Sequence, residues 1–168
     1  FPAETLRALG ADYGIIGEGE RLSVLLDAME CRKDVPSIPG IVTPNSPGVT
    51  PIPWEHAIAR KFNPRLPHVA YYLEKGGMLN LQTKRGCSFH CIYCSYPHIE
   101  GRTLRLFAPD EVAQTARRLQ EAGAKYLFVT DAAFNSSVPH SIAVAKSFKQ
   151  AGVSIPWGAV FAPLSPDS

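Results

Sequence analysis

The sequence predicts an α/β protein, and three observations carry that expectation. From Met78 onward, strand-like and helix-like stretches alternate, the order that parallel strands joined by crossover helices require. One strand followed by one helix stands apart near the beginning of the chain. Six prolines between Pro36 and Pro53 separate the two regions, and proline lacks the N–H that a helix interior or a central strand needs.

The elements follow in order. "PAETLRAL" places Leu6 and Leu9 on one face, with Pro2 suited to a first turn and Gly10 as a stop. "DYGIIG" reads as a short buried strand. "EGERLSVLLDAME" repeats Leu22, Leu25, Leu26 and Met29 at helical spacing. The stretch "PSIPGIVTPNSPGVTPIP" predicts a linker with at most edge-strand structure. A helical turn or two is expected in "WEHAIARKF" and irregular chain in "NPRLPHVAYYLEKGG".

After "MLNLQT", a strand, comes a cysteine-bearing loop. "APDEVAQTARRLQEAG" then sets Val112, Thr115, Ala116 and Leu119 on one helical face. Pro109 occupies the first turn, Asp110 and Glu111 lie at the positive end of the helix dipole, and Gly123 ends it. "KYLFVTD" is a strand, "PHSIAVAKSFKQAG" a helix with Ile142, Ala145 and Phe148 inward, and "SIPWGAVFA" a third strand with Trp157 in the core. One strand alone before the linker and three after it make an incomplete sheet, so we expect a fragment, or a protomer lacking neighbours.

Composition excludes several classes. A hydrophobic content of 45% is enough for a real core, and a net charge of +2 without a basic run argues against nucleic acid as partner. No apolar run approaches the roughly 20 residues that span a bilayer, and the first residues lack the pattern of a signal peptide, so a cytoplasmic location is expected. Three of the four cysteines, Cys87, Cys91 and Cys94, crowd into "CSFHCIYC". Neighbours so close staple nothing distant, which makes a metal in a reducing compartment the better reading. The spacing C-x-x-x-C-x-x-C suits an iron–sulfur cluster with one iron lacking a protein ligand. Structural zinc with His90 or His98 as a fourth ligand is the alternative, although zinc sites usually pair two ligand sets across a longer spacer.

The segment "CSFHCIYC" resembles the signature of the radical S-adenosylmethionine (SAM) superfamily. The resemblance implies a [4Fe-4S] cluster held by Cys87, Cys91 and Cys94, with SAM on the open iron and Tyr93 near its adenine. It further implies reductive cleavage to a 5′-deoxyadenosyl radical, an external electron donor of flavodoxin or ferredoxin type, and a small-molecule substrate. The expected fold is the start of a (β/α) partial barrel, whose catalytic groups gather at the carboxyl ends of the strands. Asp131, with Asn135 behind it, follows the second of these strands, where many relatives carry a Gly-Gly-Glu stretch that meets SAM. Asp131 is therefore a candidate SAM contact, with a cap on the next turn as the other reading.

"TKRGC" and "YPHIEGRTLRLFAPDEV" are similar to the subset of radical SAM enzymes fused to a cobalamin-binding domain. "ALGADYGIIGEGERLSVLLDAME" resembles the last strand and helix of that Rossmann-like domain. The resemblance divides the chain into a cobalamin-domain remnant (1–34), a proline-rich linker (35–77) and the first part of a radical SAM barrel (78–168). Gly17 and Gly19 would lie on the cobalamin side, although an ordinary strand-to-helix turn also asks for glycine there. The implied activity is a transferase, radical methylation of a small molecule or lipid precursor with cobalamin in the full-length protein. A non-catalytic iron–sulfur or zinc module is the rival. Of the remaining residues, Arg85, Arg102 and Arg105 could meet an anion or simply be solvated, His90 and His98 are expected to pack the loop, Tyr71 and Tyr72 to pack the linker, and Cys31 to be a lone thiol.

Overall fold

The computed structural model describes residues 2–47, 53–54, 63 and 65–163. The helical turn expected in "WEHAIARKF" lies, apart from Trp54, outside the described residues. In chain order the elements are α1 (Pro2–Leu9), β1 (Gly14–Ile15), α2 (Arg21–Glu30), β2 (Ile41–Val42), α3 (Pro67–Lys75), β3 (Met78–Leu81), β4 (Lys84–Arg85), α4 (Tyr96–Glu100), β5 (Arg105–Leu106), α5 (Pro109–Glu121), β6 (Tyr126–Val129), α6 (Val138–Gln150) and β7 (Trp157–Ala159). They fall into two compact units. One comprises Phe1–Ala57 with Ser88–Arg102, the other Ile58–Cys87 with Thr103–Ser168.

The second unit contains the predicted strand–helix alternation. β3, β6 and β7 form a parallel sheet in that order, with Met78 opposite Tyr126 and Leu127 opposite Trp157. Strand order equals chain order, so two crossovers of one hand put both connecting helices on the same face. α5 and α6 accordingly pack on each other. Pro109 begins α5 after an extended Ala108, Asp110 and Glu111 occupy its first turn, and Gly123 follows its end at φ +105°. Val112, Ala113, Ala116 and Leu119 of α5 are buried against Leu127, Val129, Val144 and Phe148. Thr115 is half-buried and bonds Glu111 O instead of joining the core. Trp157, expected in the core, is half-buried and packs edge-on against Phe134 and Phe148 at the margin of the core.

α6 corrects the expected inward face. Ile142 is 50% exposed and Ala145 is exposed; the buried positions are His140, Ser141, Val144, Ser147 and Phe148. Three of these are polar, which hides the apolar period, and each has a partner inside: Ser147 Oγ donates to Asp110 Oδ1 at 2.8 Å, Ser141 Oγ to Phe134 O, and His140 bonds Thr83 O. α3 also corrects an expectation, since "PHVAYYLEK" is helical and not irregular. Pro67 starts it, only Val69 is buried, and Tyr71 and Tyr72 are about 60% exposed, so no apolar stripe announced the helix, and among the described residues the tyrosines are not seen packed on the linker.

In the first unit β1 does not stand alone. It pairs antiparallel with β2, Gly14 opposite Val42, and the ladder continues with Ile16 N donating to Gly40 O. β2 lies within the proline-rich stretch, between Pro39 and Pro44, as an edge strand would. The core here is small: Leu25, Ala28, Val35 and Ile41. Leu6 of α1 is buried, whereas Leu9 is exposed. Leu22, Leu26 and Met29 of α2 are about half exposed, because only one side of this helix has a partner among the described residues.

Candidate functional site

The cysteine loop begins where β3 ends. Gln82 and Thr83 lead into β4, which pairs antiparallel with β5, Lys84 opposite Leu106 and Arg85 opposite Arg105. Phe107 N donates to Thr83 O at 3.0 Å, so a short ladder closes the base of the loop. Sequence reasoning missed this ladder, because two-residue strands leave no period to read. Arg85, weighed as a solvated loop arginine, is instead buried with Nε donating to Gln82 Oε1 at 3.0 Å. Gly86 turns the chain at φ +85°, a conformation that favours glycine, and Cys87 follows, 7% exposed.

The rest of the loop belongs to the first unit. Cys91 is exposed and Cys94 half-buried, and Cys94 N donates to Cys91 O at 3.2 Å in a tight turn. Ile92 and Tyr93, the residues between them, are almost fully exposed. His90 and His98 are exposed too, which corrects the expectation that they pack the loop. The loop closes with Arg102, which donates to Phe89 O at 3.2 Å, and with Gly101, where a Cβ would stand 2.5 Å from Pro53 Cγ. Cys87, Cys91, Cys94 and Cys31 are all free thiols. Among the described residues no group of three His, Cys, Asp or Glu side chains is gathered around one point. What fits a cluster is the donor set: three uncommitted thiols on one loop after a parallel strand.

Asp131, at the end of β6, is 4% exposed and faces the root of that loop. Its Oδ1 accepts from Thr83 N at 2.8 Å and Lys84 N at 3.3 Å. Its Oδ2 accepts from Lys84 Nζ at 2.9 Å and from Thr83 Oγ1. The side chains of Lys84 and Asp131 are each 1% exposed. Lys84 Nζ also donates to Phe134 O at 2.6 Å and lies 5.1 Å from the centre of the Phe134 ring. These bonds run back across the sheet, so Asp131 does not serve as the cap of the following turn. His140 Nε2 stands 3.1 Å from Thr83 O. Burial pushes its pKa down and Lys84 adds to that, against the opposing pull of Thr83 O and Asp131. A neutral ring donating Nε2–H to Thr83 O satisfies both groups. Asn135 is tied to the segment after β7 by a reciprocal pair with Ala162, at 2.7 and 2.9 Å.

Around Gly17 and Gly19 the structure points to their neighbours. Gly17 has φ +94°, which explains the glycine by the turn, and nothing lies within 4 Å of a Cβ built on Gly19. Glu18, between them, is buried and accepts from Trp54 N. Arg21 is buried as well, donating to Pro39 O at 3.1 Å and Pro53 O at 3.5 Å, with its guanidinium 5.6 Å from the Trp54 ring centre. A glutamate and an arginine three apart across a strand-to-helix turn were the signal that sequence reasoning passed over.

Residues 81–155 match the Radical SAM superfamily. Among curated proteins the chain is 28% identical over 105 residues to cytidylyl-2-hydroxyethylphosphonate methyltransferase of Streptomyces wedmorensis, covering 62% of the chain and 19% of that protein. It is 26% identical over 154 residues to hopanoid C-3 methylase of Methylococcus capsulatus, covering 84% and 28%. Among solved structures it is similar to the radical SAM methyltransferase TsrM from Kitasatospora setae with cobalamin and a [4Fe-4S] cluster bound. That likeness has a TM-score of 0.73 at 23% identity, over 86% of the chain and 31% of TsrM. The same enzyme with tryptophan and a SAM analogue bound gives 0.70 at 25% identity, over 84% and 29%. A parallel sheet that opens into a three-cysteine loop accords with the superfamily match. The chain thus carries a segment that matches the radical SAM superfamily, residues 81–155, with all three loop cysteines inside it. The chain spans less than a third of the length of these relatives.

Proposed function

We propose that this chain supplies the cluster-binding and SAM-binding part of a cobalamin-associated radical SAM methyltransferase. The observation that carries the reading is the set of free thiols Cys87, Cys91 and Cys94 on the loop after β3, inside the segment that matches the superfamily. Cys87, Cys91 and Cys94 would hold a [4Fe-4S] cluster, and a fourth iron without a protein ligand leaves the position for SAM. When bound, such a cluster supplies the electron that cleaves SAM to a 5′-deoxyadenosyl radical.

The chain's own contribution is placement and exclusion. Tyr93, exposed beside Cys94, is available to lie against an adenine ring. Asp131, first considered as a direct SAM contact, already accepts four hydrogen bonds at the loop root, which favours a supporting role. The layout that goes with the reading is a cobalamin-domain remnant at 1–34 with Gly17 and Gly19 on its cofactor side, a linker at 35–77, and the beginning of the barrel at 78–168. Cobalamin in the whole protein is supported by TsrM, a methyltransferase that binds it, and a small-molecule substrate by the tryptophan that TsrM holds. An electron donor of flavodoxin or ferredoxin type and a cytoplasmic setting complete the proposal. Among the described residues no helix is long and apolar enough to cross a membrane.

Anaerobic reconstitution with iron and sulfide tests this. The wild-type chain is expected to take up about four irons and to show an electron paramagnetic resonance (EPR) spectrum that changes on adding SAM. Cys87→Ala is expected to lose most of the iron. Uptake of zinc alone, or a cluster indifferent to SAM, would replace the proposal with a non-catalytic metal module.

A further inference from the structure

We propose that Asp131, its buried charge balanced by Lys84, is a positioning residue that locks the root of the cysteine loop and thereby aims Cys87. The assignment rests on reading Cys87 as a cluster ligand. The carboxylate of Asp131 receives main-chain amides, those of Thr83 and Lys84, and so holds the backbone itself. The Thr83 carbonyl is held in turn by His140 and by Phe107 N. Both backbone groups of one residue are thus held from elements well away in sequence. Lys84 Nζ bridges the carboxylate to Phe134 O, joining the lock to the turn after β6.

Only Arg85 and Gly86 separate this lock from Cys87. Arg85 is itself held in the ladder with β5 and by Gln82. The φ of +85° at Gly86 then directs the chain toward the buried Cys87. A buried ion pair adds little net stability over an apolar pair of the same volume, because desolvation offsets the attraction. An apolar pair would fill the space, but it could not receive two amides. Geometry at the loop root is what the charged pair provides and an apolar one would not.

The test compares the full wild-type chain with Asp131→Ala and with the neutral pair Lys84→Met/Asp131→Asn, which keeps an acceptor for the amides. Hydrogen exchange on the iron-free protein is the first readout. In the wild type, the Thr83 and Lys84 amides are expected to exchange as slowly as Leu127 in β6. In Asp131→Ala they should lose at least about tenfold protection while Leu127 keeps its own. The neutral pair should retain most of it. After reconstitution, the EPR change on adding SAM should weaken in Asp131→Ala and return in the neutral pair. Fast exchange at Thr83 and Lys84 in the wild type overturns the lock without any variant, which covers the case that Asp131→Ala does not fold. Unchanged protection in a folded Asp131→Ala overturns it too, as does a wild-type SAM response in that variant. A wild-type chain that forms no SAM-responsive cluster overturns the functional reading instead, and leaves the exchange test standing.

Discussion

The two compact units each carry a buried cation near one stretch of the cysteine loop, and they satisfy it differently. In the second unit Lys84 meets a carboxylate, Asp131, at 2.9 Å, above a continuous core that includes Leu81, Leu127, Val129, Val144 and Phe148. In the first unit Arg21 meets the carbonyls of Pro39 and Pro53 and the face of Trp54, beside a much smaller core. Pro53 in turn abuts Gly101 at the end of the segment that carries Cys91 and Cys94. A planar guanidinium with several donors can collect carbonyls from an irregular proline-rich stretch, whereas a point-charge ammonium needs a preformed pocket. The difference teaches that order near Cys87 comes from a sheet and its core, while order near Cys91 and Cys94 comes from side chains that gather loops.

Four measurements would break or sharpen that contrast. The largest effect is expected from Lys84→Met, which leaves the Asp131 carboxylate buried without its cation: about 3–5 kcal/mol of stability lost in urea unfolding. Adding Asp131→Asn should recover most of it. A loss under about 1 kcal/mol in the single variant would mean that Asp131 does not need its partner.

Truncation of the two cores comes next. Leu127→Ala, at a fully buried position, should cost about 3–4 kcal/mol, and Leu25→Ala, in the smaller core, about 2–3 kcal/mol. Equal costs would erase the asymmetry between the units. Gly40→Ala should cost about 1–3 kcal/mol, since φ is +82° there and a Cβ would come within 2.5 Å of Arg21 Nε. Its effect should appear as faster amide exchange around Ile41 and Val42 and leave β6 unchanged. Faster exchange in β6 as well would show that the effect of crowding Arg21 is not local.

The smallest effect concerns pH. Burial lowers the His140 pKa in the folded chain, so the unfolded chain binds more protons as pH falls below about 6.5. The associated stability is present above that pH and is lost on descending toward the folded-state value. His140→Gln should flatten this part of the stability curve relative to the wild type. A wild-type curve with no such slope below about 6.5, or an identical slope in the variant, would remove His140 from the account.

How much of this was legible depends on the range of each cause. α5 was readable because Pro109, Asp110, Glu111 and Gly123 act within a turn of their own positions. The order of β3, β6 and β7 was readable because alternation with helices constrains parallel strands. α3 was not, since a helix that buries only Val69 has no apolar period to show. The inward face of α6 was misread because His140, Ser141 and Ser147 are inside, and only their partners on other elements make that tolerable. Glu18 and Arg21 were passed over for the glycines beside them, because their partners lie 18 to 36 residues away.

By itself the sequence determined the cysteine spacing, the superfamily signature it resembles and the helices with local start and stop signals. All of these are written in residues next to one another. Only the tertiary structure decided what Asp131 does. A lone aspartate at a strand end can cap a turn, meet a ligand or pair with a cation, and the choice depends on which donors the fold delivers to it. Here the parallel pairing of β3 with β6 brings Thr83 and Lys84 to Asp131 across more than 45 residues of chain, a juxtaposition that no local pattern encodes.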